Sequence, residues 1–355
     1  MSVTFGERLK AARIMAGLSM DALVLKLEKR LSKSALSKYE NGLMMPDSEN
    51  LILLAKTLNV SPDFFFPKKT VELSCVNFRK KSSLGKKEVE SLLERVKYAI
   101  ERYIELETLL GLESPFINPL EGIVISKPAD IEAAALKLRE AWGFGKDIAI
   151  PQVLDVLEEH SIRIIEIDEC DEFDGLSGKV NCNPFIVLNK NRPGDRKRLT
   201  ALHELAHQIL VFNAGLSKIY IEKLCHTFGG AFLMPADVLL RELGEKRNKI
   251  SLPELQVLKE QFGISIQAIM FRAREHEIIS AYEYERFSRF VSAKGWRKAE
   301  PVQYLIPDVS HRFKQLLHRA LAEEIITISK AAYLSNKSIQ EIEKELSLND
   351  ADSYS

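Results

Sequence analysis

The sequence predicts a mostly helical α+β protein, and three observations carry that prediction. Apolar residues recur at helical spacing over most of the 355 positions. Runs of β-branched residues are confined to one stretch, residues 162–189. Capping residues and glycine or proline stops divide the remainder into short segments. Hydrophobic residues make up 46% and charged residues 28%, with a formal net charge of zero, as in an ordinary soluble chain, so no general basic excess points to nucleic acid. A chain of this length is expected to divide into two or three domains.

The elements follow in order. Phe5, Leu9, Ala12 and Ile14 mark a first helix that stops at Gly17, and Ser19 can cap a second in MDALVLKLEKR. Ser32 or Ser34 can cap SALSKYENG, SENLILLAKTLNV follows Pro46 and Asp47, and Pro62 suits the first turn of a fifth helix in SPDFFF. Residues 67–87 turn polar and lysine-rich and read as a linker. Residues 86–110 carry Val89, Leu92, Leu93, Val96, Ile100, Ile104 and Leu106 on one stripe, which either packs on the next domain or pairs with a second copy in a homodimer. Helices are expected over 129–143 and 150–160, then strands IRIIEI, SGKV and PFIVLN with turns at Asp174–Gly178 and Asn181–Pro184. Beyond residue 199 every segment reads as helix, with a break at Gly263 and a disordered end, NDADSYS. The expected domains are 1–70, the short helices; 71–115, linker and long helix; 116–300, the part holding the strands; and 301–355, a helical tail.

No apolar run approaches the roughly 18 residues that span a bilayer. The start MSVTFGERLKAARIM carries charges where a signal peptide is apolar, so a cytoplasmic protein without a membrane partner is expected. Cys75, Cys170, Cys182 and Cys225 form no CxxC pair and read as reduced structural thiols.

One segment carries chemistry. Residues 199–210, LTALHELAHQIL, place two histidines and a glutamate in an apolar helix, where burying ionisable groups costs several kcal/mol unless they are coordinated or neutralised. His203 and His207 are one turn apart on one face and can offer imidazole nitrogens to a single ion. Glu204, about 100° around, can act as general base toward an ion-activated water. A third ligand is needed, and the helix starting near Lys218 offers Glu222 and His226, which share a face, so geometry does not choose between them.

The pattern RLTALHELAHQIL followed by EKLCHTFGGAFLMP resembles the ImmA/IrrE metallopeptidase family, where HExxH precedes a second helix closed by a leucine-methionine-proline turn. The resemblance implies a zincin-like domain with a small sheet and one Zn2+ ion held by His203, His207 and Glu222. It also implies Glu204 as catalytic base and His226 in support. Gly229 and Gly230 would let the two ligand helices approach closely. The implied substrate is a protein partner, a transcriptional repressor being the leading candidate, added as an extended strand to PFIVLN at the sheet edge. Arg192, Arg196 and Arg198 read as a solvated turn after that strand.

Residues Phe5–Phe66, most specifically SALSKYENG followed by Pro46, resemble the XRE/Cro-type helix-turn-helix domain. Carried over by position, Lys33, Ser34, Ser37 and Lys38 would face double-stranded DNA in the major groove, with Asn41 near phosphate. Residues 1–70 hold 11 Lys and Arg against 7 Asp and Glu, a modest excess that favours DNA. Two departures stand out: Met20 replaces a common phosphate-binding glutamine, and LEKRLSKS is about two residues longer than the usual turn. The reading is a regulator that binds DNA and cleaves a protein. Its rival is a non-proteolytic repressor or antitoxin-like regulator with a structural or sensing zinc site, and Glu204, which a purely structural site does not need, separates the two.

Overall fold

A computed structural model describes residues 4–66, 71–77, 85–297 and 299–352. Its first elements are α1 (Phe5–Met15), α2 (Met20–Lys26), α3 (Lys33–Glu40), α4 (Ser48–Leu58), a 3₁₀ turn at Pro62–Phe65, β1 (Ser74–Asn77) and α5 (Lys86–Leu109). Then come β2 (Val124–Ile125), α6 (Pro128–Ala141), α7 (Val153–Glu159), β3 (Arg163–Ile167), β4 (Gly175–Val180), β5 (Asn183–Asn189), α8 (Gly194–Ile209), β6 (Val211–Phe212) and α9 (Lys218–Leu233). The chain closes with α10 (Ala236–Leu243), α11 (Leu252–Phe262), α12 (Ile266–Glu275), α13 (Ala281–Ala293), α14 (Arg312–Ala322), α15 (Ile328–Ser335) and α16 (Ile339–Asp352).

These elements form two compact units. One draws on the chain before Ser74, on α5 up to Ser114, and on everything from His311; the other holds Ser74–Asn77 and Pro115–Ser310.

In the first unit, caps set the helix starts: Thr4, Ser19, Ser32 and Asp47 each accept a backbone N–H of the helix they precede. Leu9, Leu23, Leu36, Leu54 and Phe64 are fully buried in one core. Gly6 makes α1 and α3 meet: a Cβ there would lie 2.4 Å from the Glu40 carbonyl oxygen. The expected fifth helix is a single 3₁₀ turn. The stripe of α5 is covered by α1 and by α14 and α15, with Tyr103 and Leu106 in a core with Leu316, Leu317 and Ala331. The stripe packs inside its own unit rather than on the unit that follows it, and the C-terminal helices pack as part of this unit. Of the expected disordered end, residues 349–352 continue α16 and the last three lie outside the described residues.

In the second unit the sheet order is β1-β4-β5-β3, with β5 parallel to β3 and antiparallel to β4. This corrects two expectations. PFIVLN is the interior strand β5, hydrogen-bonded on both sides, and its run of six buried residues is what a strand covered on both faces requires. The linker reading of 67–87 fails at Ser74–Asn77, which form an edge strand held by main-chain bonds; its other parts, 67–70 and 78–84, lie outside the described residues. The turn expected at Asp174–Gly178 is mostly strand, because β4 starts at Gly175. The β4–β5 hairpin turns through Asn181 and Cys182, both at positive φ, as a two-residue primed turn demands. Helices α8 and α9 pack on each other, α8 also lies on β4 and β5, and a core running from Leu120 to Ile279 surrounds them.

Candidate metal centre and recognition helix

Helix α8 starts at Gly194, five residues before LTALHELAHQIL, with Asp195 in the first turn where the helix dipole favours an acid. Asp195 accepts from the buried Lys259 at 2.7 Å, and Lys259 also reaches Glu300 at 2.8 Å. The arginines expected in a solvated turn are therefore built in. Arg198 is fully buried, donating to the Pro151 carbonyl at 2.7 Å and pairing with buried Asp308 at 3.3 Å. Arg192 and Arg196 both reach Asp174, at 2.8 and 2.9 Å. Charge read as solvation was in fact partnered from distant sequence, which local patterns do not reveal.

Helix α9 is capped by Ser217 and carries Glu222 in its second turn. Gly229 faces α8, where a Cβ would lie 3.0 Å from Leu199 Cδ1 and 3.3 Å from its carbonyl oxygen. Gly230 faces elsewhere, against Arg272 on α12. Thus one glycine, not two, sets the spacing of the ligand helices.

That spacing brings His203, His207 and Glu222 together, with one donor atom from each within 4.8 Å of the others. His203 Nε2 and His207 Nε2 are 3.0 Å apart, and Glu222 oxygens lie 3.4 and 3.2 Å from them. His203 is fully buried and the Glu222 side chain is about half exposed. When an Nε2 carries a proton it donates to Glu222, which holds that carboxyl far below the usual carboxylate range. His226, the other candidate ligand, holds its ring tilted at 50° with its centroid 4.2 Å from that of His203, and is not among the three converging donors.

The donor set fits a divalent ion. Donor atoms bonded at about 2.05 Å around a tetrahedral centre sit about 3.3 Å apart, close to the 3.0–3.4 Å found here. Two neutral imidazoles that aim Nε2 lone pairs at one another repel unless a cation lies between them. The second nitrogen of His207, Nδ1, lies 3.6 Å from Cys225 Sγ; in the tautomer protonated at Nδ1 it donates to sulfur and leaves Nε2 free to bind metal. Cys225 is the buried thiol; Cys170 and Cys182 are exposed, so a structural reading does not extend to them.

Glu204 is fully buried beside the set. Its Oε2 accepts from Ser177 Oγ at 2.8 Å, and Ser177 Oγ accepts from Gln208 Nε2 at 2.8 Å. The hydroxyl has one proton, and Gln208 fixes where it points, so this chain of bonds presents a donor to an ionised Glu204. Sequence reading missed Ser177, whose only local signal is a lone polar residue in a strand. A cavity of about 760 Å3 opens beside the ligands, lined among others by Glu222, His226, Leu199, Ile219, Phe271 and Arg196.

On α3, Lys33, Ser34, Lys38 and Asn41 are exposed and Ser37 is half-buried. Lys33 pairs with Asp21 at 2.8 Å, with both side chains more than half exposed. Asn41 donates to the Ser37 carbonyl at 2.8 Å, closing the end of the helix. Arg13 of α1 grips Glu40 through two bonds, at 2.6 and 2.9 Å, and this contact raises the Arg13 pKa. Met20 packs against the helical core. The long turn is taken up by Glu28 and Lys29, both in the left-handed region.

Residues 9–65 match the helix-turn-helix family, and residues 157–274 match the family of the IrrE N-terminal-like domain. In this order they give the fused architecture that the motifs implied: an XRE-type helix-turn-helix region followed by an IrrE/ImmA-like peptidase-family region. No curated protein matches the chain. Among the described residues no helix is long and apolar enough to cross a membrane.

Proposed function

We propose that this protein is a DNA-binding transcriptional regulator whose second unit is a zinc-dependent endopeptidase that cleaves a protein partner, a repressor being the favoured class. The observation that carries the reading is the convergence of His203, His207 and Glu222 in the region matching the IrrE N-terminal-like domain, with buried Glu204 beside them. An ion held by those three side chains supplies Lewis acidity, lowering the pKa of a water and polarising a peptide carbonyl. Glu204 takes the proton of the attacking water and returns it to the amine that leaves. Ser177 and Gln208 hold that carboxylate in one orientation, and Cys225 holds the His207 ring. The adjoining cavity receives a side chain of the substrate.

The first unit would read DNA with α3, Lys33, Ser34, Ser37 and Lys38 facing base edges or phosphate and Asn41 lying near the backbone. Because the protein both reads DNA and carries a peptidase, its own operon is a natural site of action. The test compares wild type with Glu204→Gln in cells. Disappearance of a repressor in wild type and its persistence in the variant, with operator binding equal in both, is the expected result. Identical repressor levels would favour the non-proteolytic regulator.

A further inference from the structure

Strand β4 is the part of the sheet that touches the candidate base: its Ser177 bonds Glu204, and Gly175, two residues earlier on the same face, lies against Thr200 of α8. On its inner side β4 is fully paired with β5. Its outer side is the sheet edge nearest Glu204, since the opposite edge, β3, is separated from β4 by β5. An edge of this kind is where an extended peptide can be held through main-chain bonds without a pocket for each side chain. In this structure the place is taken by the chain itself. Ser74–Asn77 run antiparallel to β4, with Ser74 opposite Lys179 and Asn77 opposite Ser177.

Several features make this strand a poor permanent member of the sheet. It is four residues long, and its register slips by a bulge between Ser74 and Asn77. Ser74 Oγ adds one side-chain bond, to the Lys179 carbonyl at 3.2 Å. Gly178, between the two β4 residues that face the segment, adds no side chain to hold it; a Cβ there would meet the Phe185 ring of β5 at 2.7 Å and the Ser74 carbonyl oxygen at 3.2 Å. Leu73 before the segment and α5 after it belong to the other unit.

We propose that Ser74–Asn77 is a built-in competitor for the substrate strand: an extended protein substrate docks on the outer edge of β4 only when this segment leaves it. The proposal rests on the peptidase reading for its meaning but not for its test, which measures binding. Three forms are compared in a Glu204→Gln background with Cys182→Ser, the first two also with Cys75→Ser, and the metal content of each is measured. A locked form carries Ser74→Cys and Lys179→Cys, joined as a cross-strand disulfide. The second is the same protein reduced. A released form has proline at both 75 and 76, so that no N–H there can join the ladder. The probe is a dye-labelled heptapeptide, VELSSVN, corresponding to residues 71–77 with serine at 75, read by fluorescence anisotropy.

The released form should bind it roughly tenfold or more tightly than the reduced form, because apparent affinity scales with the fraction of free edge. The locked form should not bind, and reductant should restore binding to the same sample. Equal binding by locked and reduced forms, or none by the released form while amide exchange shows β5 and α8 intact, overturns the proposal. Loss of metal from all forms would instead count against the peptidase reading.

Discussion

Helices α3 and α8 carry the two sets of candidate functional side chains, and they face opposite physical problems. On α3 the candidate groups point to solvent, where Lys33 and Lys38 keep their hydration and the exposed Lys33–Asp21 pair contributes at most about 1 kcal/mol. On α8 they point inward: His203 and Glu204 are fully buried, and each must find a partner to be tolerated there. A buried site therefore constrains its surroundings. Ser177, Gln208, Glu222 and Cys225 all contact it, whereas α3 is held from its buried side, by Leu36 and Tyr39 in the core, the Arg13–Glu40 pair and the close approach at Gly6, and leaves its candidate groups facing solvent.

The comparison is sharpened most by removing the base. Glu204→Gln should lower peptidase turnover by roughly 10²–10⁴-fold while metal content and operator affinity stay at wild-type values. Equal losses of turnover and DNA binding would mean that the two helices do not serve separate functions.

Next in size are the two helix contacts. Gly6→Ala drives a methyl into the α3 backbone and should cost about 3 kcal/mol in the first unit. Gly229→Ala meets the end of Leu199 first and should cost about 1–2 kcal/mol in the second unit. Denaturant melts followed separately by operator binding and by metal retention read the two losses.

Lys38→Ala should weaken operator binding by about 1 kcal/mol and reduce the slope of log affinity against log salt by about 1. An unchanged slope would remove Lys38 from the DNA-facing set.

The smallest effect concerns pH. His160 stacks on Trp142, with centroids 4.4 Å apart, and burial lowers its pKa in spite of nearby Glu159. The folded state therefore resists protonation that the unfolded chain accepts near pH 6.5. Its contribution to stability is complete above that pH and is lost as pH falls through the depressed folded value. The midpoint of thermal unfolding should drop between pH 7.5 and 5.5, and His160→Gln should flatten that drop.

Much of this was legible in the sequence, for reasons that the two helices make plain. HELAH announced itself because ionisable residues in an apolar helix demand an explanation, and the α2–α4 starts were legible because caps such as Ser19, Ser32 and Asp47 act within a turn, whereas the Thr4 cap of α1 was missed. What stayed hidden depends on distant pairing. Arg198 looked solvated because its partners Pro151 and Asp308 lie far away in sequence. PFIVLN was taken for an edge although its unbroken apolar run is the mark of a strand covered on both faces. Ser74–Asn77, set in a polar stretch, gave no periodic signal for a strand that uses main-chain bonds.

The central claim is that α8 and α9 hold a divalent ion between His203, His207 and Glu222. Metal analysis of the purified full-length protein beside His203→Ala tests it most directly. The account predicts one ion per chain in wild type and in Lys38→Ala, and its loss from His203→Ala with operator binding retained. Equal metal content in wild type and His203→Ala, or none in either after purification with zinc, would contradict it.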